Sequence, residues 1–69
     1  MVEVFKTNVS NTKQADEIIS LLLHALPGGS VNIDLDDCDK VLRIEHEKIQ
    51  AAGIINLLHE KGLQCSILL

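Results

Sequence analysis

The chain has 69 residues, a formal net charge of −4 at pH 7 and Phe5 as its one aromatic residue. This length predicts a single domain, residues 1–69, with an aliphatic core. A domain this short buries only about 60% of the surface that its unfolded chain exposes. The acidic balance argues against nucleic-acid binding, because few cations are available to neutralise phosphates. No apolar run approaches the roughly 20 residues of a membrane helix. With no recognisable signal peptide, we expect a cytoplasmic protein without membrane contact.

The first predicted element is a strand. Residues 2–9 are rich in β-branched side chains and contain no glycine or proline, a composition that favours β structure. Neither alternating face is wholly apolar, as in a strand covered on one side only. We expect Phe5, Thr7 and Val9 to face inward.

An amphipathic helix follows. Apolar residues recur at helical spacing from Thr12 to Leu26, with polar residues between them. Asn11 and Gln14 resemble a capping box at the start of this helix. The sequence Pro27-Gly28-Gly29 predicts its end, because proline cannot continue a helix and glycine readily adopts left-handed backbone conformations.

Residues 30–45 predict a β-hairpin. Two runs alternate between apolar and polar residues on either side of a short polar loop that contains Cys38. If Leu35 and Leu42 share the inner face, Asp34 and Arg43 share the outer face, where opposite charges can pair across strands.

A second helix and a fourth strand complete the predicted elements. We expect the helix over residues 46–61, with Gly53 inside it and Gly62 as its C-terminal cap. Residues 63–69 alternate again and predict the strand. The predicted apolar stripe of the helix is Ile49, Ala52, Ile54 or Ile55, and Leu58. The predicted inner face of the strand is Leu63, Cys65, Ile67 and Leu69.

The order βαββαβ predicts a ferredoxin-like α+β sandwich: a four-stranded antiparallel sheet, order 4-1-3-2, with both helices on one face. We expect five side chains to be almost fully buried: Leu22, Leu35, Leu42, Ile44 and Leu58. We expect the outer face of the sheet to expose an apolar centre beside charged residues: Val2, Val4, Val41 and Leu68, with Asp34, Arg43 and Glu45.

The apolar spacing resembles that of heavy-metal-associated domains, the small copper-carrying modules of metallochaperones and metal-pumping ATPases. The resemblance covers most of the chain. It is carried by Ile18/Ile19, Leu22/Leu23, Leu26-Pro27-Gly28, Val31 to Leu35, Val41 to Ile44 and Ile54 to Leu63.

The family's metal loop is missing from the sequence. In heavy-metal-associated domains a Met-x-Cys-x-x-Cys loop precedes the first helix, and its two thiolates bind Cu(I). The corresponding positions here are Asn11 and Gln14, or Thr12 and Ala15. Neither pair contains a cysteine, methionine or histidine. The resemblance therefore implies the fold and a small binding module, and we assign no metal or cofactor to this loop.

The two cysteines offer the alternative. The fold brings the turn with Cys38 and the loop beside Cys65 to the same end of the sheet, where a sulfur site would resemble a copper carrier. The parity of Cys65 instead predicts a small core residue. We expect both to be free thiols in a reducing compartment, Cys38 to lie at the surface, and three strand-to-strand steps to separate them.

Other clusters lack the spacing of known sites. The four aspartates at positions 34, 36, 37 and 39 do not match a calcium-binding EF-hand loop. The histidines, His24, His46 and His59, form no HxxxH zinc pair. The sequence contains no glycine-rich phosphate loop and no catalytic-triad spacing. The loop between the first strand and the first helix has no arginine to hold a phosphate, as an acylphosphatase-type enzyme would need.

These observations predict a non-enzymatic interaction module without catalytic, cofactor-binding or metal-binding residues. We expect it to bind a protein partner, or to self-associate, through the open face of the sheet. The alternative hypothesis is a copper-type metal carrier that uses Cys38, Cys65 or both.

Overall fold

Four strands and two helices alternate along the chain in the predicted order. The computed structural model describes residues 1–68. Its elements are β1 (Val2–Thr7), α1 (Thr12–Ala25), β2 (Ser30–Asp34), β3 (Val41–Glu45), α2 (Ala51–Glu60) and β4 (Cys65–Ile67). The sheet has the order β2-β3-β1-β4, and every neighbouring pair is antiparallel. The ferredoxin-like fold and the predicted strand order are confirmed.

One face of the sheet carries the core. Phe5, Leu42 and Ile44 have no exposed surface, and they pack in one cluster with Leu22 of α1 and Leu58 of α2. Both helices therefore lie on this face. Full burial of one such leucine contributes about 1.5 to 3 kcal/mol to folding, so these few side chains are a large part of the stability of a short chain. Four of the five predicted core residues are confirmed.

Leu35, the fifth predicted core residue, is only half-buried. β2 ends at Asp34, so Leu35 already belongs to the turn beyond the edge strand, and it packs against the core cluster only in part. The predicted parity of the two hairpin strands is confirmed. Leu42 lies opposite Ile33, and Arg43 lies opposite Asn32. Asp34 and Arg43 share the outer face but are diagonal neighbours rather than directly opposed.

β1 and α1 begin at the predicted residues, Val2 and Thr12, but β1 ends at Thr7, two residues before the predicted end at Val9. Phe5, Thr7 and Val9 all face the core and are buried. Asn11 is the N-cap of α1: its side-chain oxygen accepts a 2.9 Å hydrogen bond from the Gln14 N–H. α1 ends at Ala25, before the Pro27–Gly29 turn.

The second helix begins five residues later than predicted, at Ala51 instead of His46. The Nδ1 atom of His46 lies 3.0 Å from the Lys48 N–H and accepts its hydrogen bond. Such a local side-chain contact stabilises a turn in place of a helix. Ile49 is buried ahead of the helix, and Ala52, expected in the apolar stripe, is exposed.

The α2–β4 connection places the last strand beside β1. Gly62 has a φ of +79°, and Leu63 donates a hydrogen bond to the Leu58 carbonyl oxygen, as in a glycine-terminated helix. β4 spans three residues, and Ile67 is 45% exposed because it lies at the sheet edge. Leu69, the last predicted strand position, lies outside the described residues. Neither helix within residues 1–68 is long and apolar enough to cross a membrane.

Candidate functional site

Three connections meet at one end of the sheet, which we call the loop end. They are the β1–α1 loop (residues 8–11), the β2–β3 turn (residues 35–40) and the α2–β4 connection (residues 61–64). The Asn8 side-chain oxygen accepts a 2.8 Å hydrogen bond from the Gln64 N–H. On the other side, the Thr7 N–H donates to the Asp39 carbonyl oxygen at 3.0 Å. The sequence-based expectation that these loops share one end is confirmed.

The β1–α1 loop is closed by its own side chains. Asn11 caps the helix through the Gln14 N–H, as described above. The Gln14 side-chain oxygen accepts hydrogen bonds from the Ser10 N–H at 2.9 Å and from the Ser10 hydroxyl at 3.1 Å. Asn11 and Gln14 are two of the positions for which the sequence resemblance implied metal ligands. Here both side chains stabilise the start of α1, and they offer oxygen and nitrogen atoms in place of soft sulfur ligands.

The β2–β3 turn brings a thiol close to two carboxylates. Single ligand atoms of Asp37, Cys38 and Asp39 all lie within 4.8 Å of one another. No other group of three potential metal ligands occurs in the described part of the chain, residues 1–68. The set combines one soft donor with two hard ones, whereas Cu(I) carriers supply two soft sulfurs.

Both carboxylates of this turn already have contacts. The Asp37 side chain accepts a 2.8 Å hydrogen bond from the Asp39 N–H, and Lys6 Nζ lies 3.7 Å from an Asp39 oxygen. The Lys40 ammonium donates a 2.7 Å hydrogen bond to the Leu35 carbonyl oxygen, and this bond links the two ends of the turn. These contacts give Asp37 and Asp39 a structural role within the turn.

Cys65 lies in a different environment from Cys38. Its side chain is 6% exposed within the core cluster, whereas Cys38 is exposed. Burial raises the pKa of the Cys65 thiol to about 11, because the apolar surroundings disfavour the thiolate. Cys65 is thus a core residue, as its parity predicts, and it is a poor metal ligand near neutral pH.

The structure places the two cysteines in separate parts of the loop end. Thr7 pairs with Cys65 and also bonds to Asp39, the neighbour of Cys38. Cys65 faces the core and Cys38 faces solvent, and no described group of three ligands contains both.

The three histidines are spread over the molecule. His24 and His59 are exposed on α1 and α2. His46 Nε2 lies 3.0 Å from the Pro27 carbonyl oxygen, and Nδ1 lies 3.0 Å from both the backbone nitrogen and the carbonyl oxygen of Lys48. His46 thereby joins the end of β3 to the turn after α1. This structural role was missed by the sequence analysis, because no spacing signal links residues 19 positions apart.

A groove of about 660 Å³ runs along α1 towards the end of α2. Ile18, Leu21 and Leu63 provide its apolar surface, and Glu17, His24 and Lys61 provide charged or polar groups. No sequence pattern predicts this groove, because the separation of the two helices depends on tertiary packing. Its mixed lining contains no buried side-chain polar atom that lacks a hydrogen bond within residues 1–68.

The second face of the sheet is uncovered. The expected apolar centre is confirmed: Val2 is 44% exposed, and Val4, Val41 and Leu68 are half-buried. The charged side chains on this face are Lys6, Asp34, Arg43 and Glu45, all of them exposed. They comprise two positive and two negative groups, so the face is formally neutral on a chain of charge −4. We call this surface the open face.

Comparison with known proteins adds no relative: no family model, curated protein or solved structure matches this chain.

Proposed function

We propose that this protein is a non-enzymatic interaction module that binds a protein partner through the open face. The observation that supports this proposal most directly is an apolar centre on a sheet face that no helix covers within residues 1–68. It is formed by Val2, Val4, Val41 and Leu68. A group of partly exposed aliphatic side chains with a charged rim is typical of a protein-binding surface.

The charge distribution supports a protein as the occupant. Lys6 and Arg43 balance Asp34 and Glu45 on this face, so a partner needs no strong charge of either sign. A row of phosphates would instead require a cationic surface. We also propose that the module acts in the cytoplasm and contacts neither nucleic acid nor a membrane.

The resemblance to heavy-metal-associated domains supports the same proposal. The spacing of apolar residues is that of a small carrier module, but the two ligand positions carry Asn11 and Gln14, which cap α1. We propose a heavy-metal-associated-like module whose metal loop has been replaced by a helix cap. Binding through a surface is then the function that the remaining features support.

The second candidate function is a copper-type carrier. One observation favours it, the proximity of the Cys38 sulfur to Asp37 and Asp39. The ligand chemistry opposes it, because a lone thiolate with two carboxylates does not provide the paired soft donors that Cu(I) prefers. Cys65 cannot supply the second thiolate without leaving the core.

Site-specific photo-crosslinking in cells of the source organism tests the proposal. A photoreactive phenylalanine analogue replaces Val4 at the centre of the open face, or Asn56, an exposed residue of α2, as the matched control. We expect a discrete protein adduct from position 4 and none from position 56. Equal adducts from both positions, or none from position 4, would refute binding through the open face.

A metal titration of the reduced protein separates the second candidate. Cu(I) competition against a chelator, followed by backbone amide NMR, should give no tight one-to-one complex. A stoichiometric complex that is lost in Cys38→Ser would favour the carrier.

A further inference from the structure

The outer edge of β2 is an unpaired strand edge. β2 bonds to β3 over five consecutive residue pairs, from Ser30↔Glu45 to Asp34↔Val41, without a bulge. On its other side no strand of the described residues, 1–68, pairs with it, because β2 is the first strand in the sheet order. An edge of this length presents backbone donors and acceptors that suit a further strand.

The ladder identifies which backbone groups point outward. The His46 N–H donates to the Met1 carbonyl oxygen, and this pair continues the β1–β3 register. Antiparallel pairs alternate between bonded and non-bonded, so the residues of β3 at positions 42 and 44 bond to β1. Those at positions 41, 43 and 45 bond to β2, and their partners are Asp34, Asn32 and Ser30. The N–H and C=O groups of Val31 and Ile33 therefore face outward.

β2 lacks most of the features that usually protect an edge strand, and its one charged residue, Asp34, lies at its end. Residues 30–34 contain no proline, lysine or arginine, and their pairing with β3 contains no bulge. The inward-facing Val31 and Ile33 are only half-buried. The opposite edge, β4, is short, since it spans only three residues.

Charge and register favour a second copy in antiparallel orientation. If Val31 pairs with Ile33 of the other copy, four hydrogen bonds form between the outward groups. Asn32 then faces Asn32 across the two-fold axis, and Ser30 faces Asp34, so no like charges oppose each other. The acidic residues Asp36 and Asp37 lie beside the uncharged Pro27–Gly28 segment of the other copy. Parallel pairing would instead place the two acidic turns together.

We infer that two copies of this chain associate through β2 to form one continuous eight-stranded antiparallel sheet. This assembly does not depend on the partner binding proposed above. It would join the two open faces into one surface. A single face measures roughly 19 by 17 Å, or about 320 Å² in projection, from the strand and residue spacings. That is less than half of the roughly 800 Å² per partner in a standard interface, and the joined face is about twice as large.

Sedimentation analysis over a concentration series tests the association. The β2 contact covers less than the roughly 1,200 Å² of a stable interface, so we expect a reversible dimer that dissociates between about 1 μM and 1 mM. On dimerisation, the amide hydrogens of Val31 and Ile33 should exchange more slowly with solvent. A monomer throughout this range would overturn the inference.

Two matched variants locate the contact. Within one copy, Asn32→Asp places a carboxylate opposite Arg43, which is favourable for folding. In the dimer, the same substitution brings two carboxylates, one from each copy, face to face at the two-fold axis. Ser66→Asp places a carboxylate opposite Lys6 at the other edge. We expect Asn32→Asp to be monomeric and Ser66→Asp to dimerise like the parent. An unchanged dimer in Asn32→Asp, or a dimer lost only in Ser66→Asp, would refute pairing through β2.

Discussion

The Thr7 hydroxyl donates a 2.7 Å hydrogen bond to the carbonyl oxygen of Lys40, across 33 residues of sequence. The Thr7 hydroxyl oxygen also accepts a 3.3 Å hydrogen bond from the Val9 N–H. Lys40 has a φ of +46°, in the left-handed region. Thr7 is 7% exposed. One buried hydroxyl therefore holds the end of the β2–β3 turn against the end of β1, at a point where the backbone leaves the regular ladder.

Replacing this hydroxyl should destabilise the loop end. Thr7→Val keeps the shape of the side chain but leaves the Lys40 carbonyl oxygen and the Val9 N–H without their partner. We expect the free energy of unfolding to fall by about 1 to 3 kcal/mol, the cost of unsatisfied buried polar groups. Urea denaturation followed by circular dichroism measures it. Thr7→Ser, which retains the hydroxyl, is the control and should recover most of the loss.

The two leucines of the hairpin should differ sharply in their contribution to stability. Leu42 has no exposed surface, whereas Leu35 is half-buried. Leu42→Ala should cost about 2 to 5 kcal/mol through lost burial and a residual cavity, which could abolish folding in a domain of this size. Leu35→Ala should cost clearly less. Thermal denaturation of both variants tests the assignment, and equal losses would contradict it.

Two glycines should respond in opposite directions to an added methyl group. At Gly29 a Cβ atom would lie 3.0 Å from the Glu45 carbonyl oxygen and 3.0 Å from a ring carbon of His46. At Gly53, inside α2, it would meet nothing within 4 Å. Gly53→Ala should raise the free energy of unfolding by about 0.5 to 1 kcal/mol, and Gly29→Ala should lower it. Chemical denaturation of both gives the signs, and a stabilised Gly29→Ala would refute the close approach.

The buried thiol predicts a loss of stability at alkaline pH. Burial raises the pKa of Cys65 to about 11, whereas an unfolded cysteine ionises near pH 8.5. Between these values the folded state binds more protons than the unfolded state, so stability decreases as pH rises through this window. The loss should approach about 3 kcal/mol.

Cys65→Ala supplies the reference curve for this prediction, because it removes the thiol and leaves every other titratable group in place. The stability of the parent relative to the variant should fall from about pH 8.5 to 11. In the native parent near neutral pH, a thiol reagent should modify Cys38 and spare Cys65. Rapid modification of both cysteines would show that Cys65 is accessible and would remove the basis of the pH prediction.

Introducing two thiols at the start of α1 should create a metal site. Asn11→Cys with Gln14→Cys places two cysteines at CxxC spacing at a helix N-terminus, where the backbone amides favour thiolates. In a Cys38→Ser background we expect this double variant to bind one Cu(I), while the Cys38→Ser protein alone does not. Chelator competition measures the difference. Failure to bind in a variant that keeps the fold would argue against the resemblance to heavy-metal-associated domains at this loop.

Sequence patterns predicted the parts of the fold that repeat with a fixed period. Alternation located β2 and β3, and helical spacing located α1, because a two-sided environment acts on every residue of those elements. The later start of α2 was not predictable in this way, because it depends on the contact of His46 with Lys48 and Pro27. Leu35 was misassigned because alternation continues past Asp34 although the strand does not.

Features of the candidate site were likewise predictable where they depend on local sequence pattern and not where they depend on contacts between distant segments. The exposed apolar residues of the open face follow from strand parity, and the helix cap at Asn11 follows from residue type. The proximity of Asp39 to Thr7 and the groove beside α1 arise from contacts between distant segments. Nothing in the local spacing of a single sequence encodes those contacts.

The closed loop before α1 has a thermodynamic consequence. The side chains of Asn8, Asn11 and Gln14 are all engaged within the folded chain, with Asn8 bonded to the α2–β4 connection and the other two closing the helix cap. The conformational entropy of this segment is therefore lost when the domain folds. A molecule that docks at the loop end meets groups already fixed in position, and its affinity carries no further cost for ordering that loop.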